Sequence, residues 1–166
     1  MEKTIFIITS DHGEELYEHG RIDHGHSLYE EAIRVPLIIS IPTMKWQKTI
    51  TAQVRSIDLM PTILDLAKVN LTEPVLKQMV GTSLVSFMEG KEQSLDVFPE
   101  TDYRYYTFQR AARTSDSWKY IFNLESEVQE LYNLTKDPKE QDNTADRLDG
   151  KAEELRLKLK EHLGGI

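Results

Sequence analysis

Four of the five histidines, His12, His19, His24 and His26, fall between positions 12 and 26, with Asp11 and Asp23 among them. Surface loops seldom gather imidazoles this densely. Imidazole and carboxylate together suit zinc, manganese or iron, whereas calcium prefers more oxygen. An adjacent Asp11-His12 pair at a strand end can turn both side chains toward one ion if the backbone bends there. Gly13 permits that bend, or a close backbone approach. Plainer readings compete. An isolated Asp-His after a strand is more often a cap or a loop pair. His19 reads as a solvated loop histidine, and Glu14, Glu15 and Glu18 as a solvated acidic face, although one of these carboxylates can orient a ligating imidazole. Ser27, His24 and Asp23 are near neighbours with no G-x-S-x-G elbow, so the Ser27 hydroxyl is expected to cap the following turn rather than attack. Glu30, Glu31 and Arg34 are spaced for a local ion pair, and Asp58 for a helix start. No H-E-x-x-H is present, which leaves a metalloprotease reading without support.

The elements that must position these residues follow from patterning. The run Ile5–Ile8 is β-branched and aromatic, and predicts a buried, central, parallel strand. It ends in Thr9-Ser10-Asp11-His12-Gly13, and ligands gather beyond the carboxyl ends of such strands. Residues 14–22 read as loop. Ser27 to Ala32 predicts a short helical turn with Ser27 as N-cap and Glu30 at capping-box spacing. Val35–Ile41 predicts a second buried strand bounded by Pro36 and Pro42. Ile57, Met60, Ile63, Leu64 and Ala67 recur at helical spacing, with Pro61 in the first turn. Gly81-Thr82-Ser83 opens another short helix through Leu84, Phe87 and Met88, ended by Gly90. Beyond about residue 95, Tyr103–Thr114, Trp118–Asn123 and Glu130–Leu134 alternate in polarity and predict a small antiparallel sheet. Residues 151–163 predict an amphipathic helix with Leu155, Leu159 and Leu163 on one stripe and Gly164-Gly165 as the stop. Two parts are thus expected, 1–94 and 95–166.

Composition narrows the partners. The 166 residues are 39% hydrophobic and 29% charged, with a net charge of -8 and a pI near 5.2. That balance suits a globular core and argues against nucleic acid or an anionic membrane, though a bound metal can still recruit an anion. There is no cysteine, which rules out disulfides and thiolate metal sites and fits a reducing compartment such as the cytoplasm. No apolar run approaches a membrane span, and the first residues do not read as a signal peptide.

The series Thr9-Ser10-Asp11-His12-Gly13-Glu14, His19-Gly20, His24-Gly25-His26-Ser27-Leu28-Tyr29-Glu30-Glu31 and Arg34-Val35-Pro36-Leu37-Ile38-Ile39 resembles the C-terminal half of the sulfatase family, in the alkaline phosphatase superfamily. The resemblance continues in order through Ser56-Ile57-Asp58-Leu59-Met60-Pro61, Gly81-Thr82-Ser83-Leu84, Arg113-Thr114, Trp118-Lys119-Tyr120-Ile121 and Glu130-Leu131-Tyr132-Asn133-Leu134 to Asp137-Pro138 and Glu140. It implies the C-terminal part of an alkaline-phosphatase-like α/β sandwich, plus a small antiparallel sheet packed with a C-terminal helix. It implies that Asp11 and His12 are the later pair of ligands to one divalent metal ion, with calcium, manganese, zinc and iron not distinguished. His24, with His26 beside it, occupies the position that contacts the sulfate or leaving-group oxygen. The family's formylglycine, formed in a Cys-x-Pro-x-Arg or Ser-x-Pro-x-Arg motif, and its early acidic pair have no counterpart in these residues and are expected in a preceding half. The implied activity is metal-dependent sulfuric ester hydrolysis, weak or absent in this chain alone. The Asp-His version of the pair also resembles phosphodiester and phosphonate monoester hydrolases. A non-catalytic binding or structural module is the reading from another class. Expected partners are a small sulfate or phosphate ester and, through exposed sheet edge, a second copy of the chain.

Overall fold

The computed structural model describes residues 4–44, 47–91, 93, 95–103 and 107–164. The chain packs as two compact units, one formed by Met1–Trp46 with Asp96–Ile166, the other by Gln47–Leu95. This division by packing runs elsewhere than the compositional boundary at 94/95, because residues 28–33 pack directly on the distal sheet.

In chain order the strands are β1 (Phe6–Thr9), β2 (Glu15–Leu16), β3 (Ile22–Asp23), β4 (Leu37–Ser40), β5 (Glu100–Tyr103), β6 (Thr107–Arg113), β7 (Trp118–Asn123) and β8 (Gln129–Asn133). The helices are α1 (Glu30–Ile33), α2 (Leu59–Leu66), α3 (Glu73–Gln78), α4 (Val85–Met88) and α5 (Asp149–His162).

The first unit is built on an antiparallel sheet in the order β5-β6-β7-β8. Alternation along these strands sends successive side chains to opposite faces. Ala112, Tyr120 and Leu131 point to one face and pack against Ala145, Ala152, Leu155 and Leu159 of the C-terminal segment. Ala111, Ile121 and Tyr132 point to the other and pack against Leu28, Tyr29 and Ile33. The small alanines on β6 permit close approach on both faces. The expected sheet and final helix are therefore present, with the added edge strand β5. Arg104, Tyr105 and Tyr106, inside the expected first strand, and Gly165, in the expected helix stop, lie outside the described residues.

Nearer the N-terminus the structure departs from expectation. β1 pairs antiparallel with β4, Ile7 opposite Ile39 and Ile8 opposite Ile38, in a sheet of these two strands among the described residues. The predicted parallel, buried strand is therefore corrected: Phe6, Ile8 and Ile38 are exposed. A continuous apolar run says that a strand's faces are apolar, and nothing about partner direction. Residues 14–22, expected as loop, contain β2, and β2 forms a hairpin with β3. β2 turns Glu15 inward and Leu16 out, so Glu15 is fully buried and does not belong to a solvated acidic face.

The second unit begins with a single 3-10 turn, Ser56–Asp58, leading into α2 with Pro61 in its first turn, as expected. Asp58 is buried and accepts hydrogen bonds from Arg55 N (2.8 Å) and Thr82 N (2.9 Å). It thus ties two segments together besides opening a helix. Ile57, Met60 and Ile63, the expected apolar stripe, are exposed, and Pro61 and Thr62 are buried in their place. α3 was not legible in the sequence, and α4 falls where the Gly81-Thr82-Ser83 signal placed it.

Candidate active site

β1 ends at Thr9, and the chain turns through Ser10 so that Asp11 and His12 stand beyond the strand end. The Ser10 hydroxyl donates to His12 O (2.7 Å) and His12 N–H to Asp11 Oδ1 (3.1 Å), closing the turn locally. Gly13 then runs against α1, its N–H donating to Ala32 O at 2.8 Å. A Cβ on Gly13 would lie 1.9 Å from Glu31 O. The need for glycine here is therefore close backbone approach.

His12 Nδ1 is 2.8 Å from Gly13 O. A carbonyl oxygen only accepts, so the ring carries its proton on Nδ1 and leaves the Nε2 lone pair free. Nε2 lies 3.7 Å from Asp11 Oδ2. The Gly13 carbonyl, foremost, holds His12 above the ordinary histidine value against some loss of solvent, with the Asp11, Glu14 and Asp23 charges adding to it. The Asp11 carboxyl is held below its usual range, first by its own backbone N–H and then by the neighbouring His12. Tautomer fixation through a carbonyl is how metal-ligating histidines are commonly oriented. The donor set of Asp11 and His12 therefore fits a divalent ion.

His24 follows β3 and comes back over His12. The two imidazoles stack with centroids 3.7 Å apart and planes 21° from parallel. His24 Nδ1 lies 2.9 Å from both Glu14 Oε1 and Asp23 Oδ1. Glu14 is exposed, as expected of an acidic face, and its carboxylate also reaches His24, the orienting role open to one of these glutamates.

The turn bearing His24 is shaped by glycine and held by β5. Gly25 has φ +82°, and a Cβ there would lie 2.5 Å from Tyr103 Cδ2. The Thr101 hydroxyl donates to Gly25 O (2.7 Å), Arg21 to His26 O (2.9 Å), and the His26 ring meets Tyr103 edge-on at 4.4 Å. Thr101 and Tyr103 were not legible as site residues, because no local spacing links them to His24.

Other expectations are corrected. His19 is not solvated: its side chain is 12% exposed, stacked on Tyr29, bonded through Nδ1 to Glu31, and placed with Nε2 3.0 Å from Glu140 O. Burial alone would lower its pKa, but the Glu31 carboxylate and Glu140 carbonyl raise it above the ordinary value. Glu30 and Glu31 do not pair with Arg34. Glu30 binds Arg113 (2.9 Å) and Lys119 (3.3 Å), and Lys119 also binds Glu140 (2.8 Å). Burial disfavours ionised Glu30, but Lys119 and Arg113 more than offset this and hold its carboxyl below the usual range. Ser27 is buried and caps nothing, since Tyr29 is the N-cap of α1 and makes no side-chain cap bond.

Comparisons with known proteins bear on the chain's family and fold. Residues 17–166 match the family described as N-sulphoglucosamine sulphohydrolase, C-terminal. The chain is 34% identical over 158 residues to arylsulfatase K of Gallus gallus, covering 87% of this chain and 28% of the relative. It is 32% identical over 150 residues to the Delta 4,5-hexuronate-2-O-sulfatase of Bacteroides thetaiotaomicron, covering 86% and 30%. The chain thus spans about three tenths of the length of these curated relatives. Among solved structures, BT4656 in complex with its substrate D-glucosamine-2-N,6-O-disulfate superposes with a TM-score of 0.72 at 27% identity, over 97% of this chain and 34% of that one. A phosphonate monoester hydrolase of Agrobacterium radiobacter shares the fold, with a TM-score of 0.67 at 24% identity over 97% and 36%. The sheet with its packed helix and the turn at Asp11-His12 are therefore parts of an alkaline-phosphatase-like α/β fold, and the chain belongs to the sulfatase family, matching its N-sulphoglucosamine sulphohydrolase C-terminal portion.

Proposed function

We propose that this chain supplies the late half of a metal-dependent sulfuric ester hydrolase site. Asp11 and His12 are the metal-facing pair, and His24 is the group that meets the ester anion. The observation that carries this reading is the His12 ring, pinned by the Gly13 carbonyl with Nε2 free 3.7 Å from Asp11 Oδ2 and stacked directly on His24. A divalent ion held there would act as a Lewis acid on the ester oxygens and offset their charge.

The chain's own residues have defined tasks. Asp11 offers an exposed carboxylate and His12 an oriented nitrogen. His24, donating through Nδ1 to the Glu14 and Asp23 carboxylates, turns its opposite edge toward a sulfate or leaving-group oxygen, to which it can donate when the ring is doubly protonated. His26, set against Tyr103, flanks that position. A sulfated sugar is the proposed substrate class, since the relatives named above include a hexuronate-2-O-sulfatase and BT4656 was solved with a glucosamine disulfate. A phosphodiester or phosphonate monoester substrate is the second reading, favoured by the Asp-His form of the pair and by the shared fold of the phosphonate monoester hydrolase.

The 166 residues contain neither Cys-x-Pro-x-Arg nor Ser-x-Pro-x-Arg, so no nucleophilic step is assigned to them. Two protein ligands hold a dication less well than four. The isolated chain is therefore expected to bind sulfate only with metal present and to turn over aryl sulfates and phosphodiesters little. The test is a sulfate titration of the His24 ring resonances with and without divalent metal, alongside an aryl sulfate and phosphodiester assay. Metal-dependent shifts lost in Asp11→Ala support the reading. Metal-independent shifts, or robust turnover of the isolated chain that Asp11→Ala abolishes, overturn it.

A further inference from the structure

The Asp11-His12 pair makes no use of Glu14, yet Glu14 is the residue that joins His12 to His24. Its Oε1 lies 2.9 Å from His24 Nδ1 and 3.8 Å from His12 Nδ1. One donor atom from each of His12, Glu14 and His24 falls within 4.8 Å of the other two. Two imidazoles and one glutamate make a zinc donor set of the kind that leaves a fourth tetrahedral position open. We propose that His12, Glu14 and His24 form a second, transition-metal site, of which zinc is the fitting occupant, sharing His12 with the Asp11-His12 pair.

The donors select the metal. Calcium and magnesium demand oxygen ligands in larger number, whereas a nitrogen-rich trio favours zinc and its neighbours. The geometry can close. Tetrahedral zinc keeps its ligand atoms roughly 3.3 Å apart, and the three side chains are 39–50% exposed and so have room to turn. A ring binds a metal in its own plane, so the stack of His12 on His24 opens as the ion enters. The charge is favourable as well. Asp23 lies 2.9 Å from His24 Nδ1 and Asp11 3.7 Å from His12 Nε2, so the trio sits among carboxylates.

A regulatory consequence rests on the proposed function above. The His12 nitrogen nearest the trio is Nδ1, 3.8 Å from Glu14 Oε1, and it is the one bonded to the Gly13 carbonyl, so zinc on the trio must displace that bond. Zinc on the trio therefore releases His12 from the carbonyl that orients it and draws His24 away from the anion, and the site inhibits the hydrolase that contains it.

The experiment is calorimetric titration of the metal-free 166-residue chain with Zn2+, paired with visible absorption of the Co2+-loaded chain. The expected result is one ion per chain, a four-coordinate cobalt spectrum, and no displacement by excess Ca2+. Glu14→Gln and His24→Ala should each weaken zinc binding about tenfold or more, and Asp11→Asn by less than about threefold. Zinc binding lost in Asp11→Asn but kept in Glu14→Gln would put the ion on the Asp11-His12 pair, overturning this site while leaving the proposed function standing. Absence of zinc heat and of cobalt bands in the wild-type chain overturns it too. Loss of the metal-dependent sulfate shifts alone counts against the proposed function and leaves the zinc site intact.

Discussion

Lys119→Met tests whether the buried charges under the β5–β8 sheet hold the site together. Lys119 is fully buried, with Nζ 2.8 Å from Glu140 Oε1 and 3.3 Å from Glu30 Oε1. Removing the ammonium affects the two carboxylates unequally. Glu30 keeps the Arg113 guanidinium at 2.9 and 3.2 Å. Glu140, also fully buried, keeps the Glu30 N–H at 2.7 Å but loses its countercharge. Leaving one member of a buried pair uncompensated costs about 3–5 kcal/mol, a large share of the roughly 5–15 kcal/mol that holds a domain folded. In a chain of this size that corresponds to a fall in Tm of roughly 6–20 °C. Burial already raises the Glu140 carboxyl above the usual value, with Lys119 opposing, so removing Lys119 raises it further. A carboxyl raised in the folded state stabilises the fold at low pH, and that stability is lost as pH rises through the folded value. The variant should therefore be less impaired at about pH 5 than at about pH 8. Urea unfolding of wild type, Lys119→Met, Glu140→Gln and the double variant at both pH values measures this. The double variant should recover more than half of the loss. A single-variant cost below about 1 kcal/mol, or a double variant as unstable as the two singles summed, refutes the reasoning.

Three further outcomes are expected. Gly13→Ala puts a Cβ 1.9 Å from Glu31 O and should cost about 1–3 kcal/mol by forcing backbone apart, with weaker divalent-metal binding because the carbonyl that orients His12 moves; unchanged calorimetry would contradict this. His19 has a raised pKa, so its share of stability is full below about pH 6.5 and is lost as pH rises through the folded value; His19→Gln should flatten that slope in thermal melts, and an undiminished slope would exclude His19 as its source. The exposed apolar side chains Phe6, Ile8 and Ile38 on β1 and β4 should drive association of copies of the chain, so light scattering should show mass rising with concentration, and a concentration-independent monomer would count against it.

Legibility in the sequence followed the range of the interactions. The distal sheet was readable because alternation at Tyr120-Ile121 and Leu131-Tyr132 is a local consequence of the pleat, and both faces found apolar partners. The α5 stripe was readable for the same reason at helical period. Strand direction was not, because β1 and β4 meet across about 30 residues and no side-chain pattern encodes whether they run together or opposed. Asp11, His12, His24 and His26 stood out by type and crowding. The roles of Glu15 and His19 did not, since a polar residue in a polar stretch reads as solvated until its partner is known. For His19 that partner is Glu31 on one side and the backbone of Glu140 on the other, the latter far along the chain.

These long-range partners explain why residues from the distal sheet belong to the argument about the site. His24 sits on a turn whose shape needs Gly25 at φ +82° and whose carbonyl at Gly25 is held by Thr101. Tyr103 fills the space a side chain at position 25 would take. Ala32 and Glu31 of α1, against which Gly13 runs, belong to a helix whose first residue is fastened to the sheet by Arg113 and Lys119 and capped at its N–H by Glu140. The two histidines that stack are thus anchored separately, His12 through Gly13 to α1 and His24 through Gly25 to β5. Their 3.7 Å spacing depends on α1 and β5 staying fixed on one sheet. Loosening either anchor should separate the rings before it unfolds the sheet, because the core of Tyr120, Leu131 and Leu155 uses neither anchor.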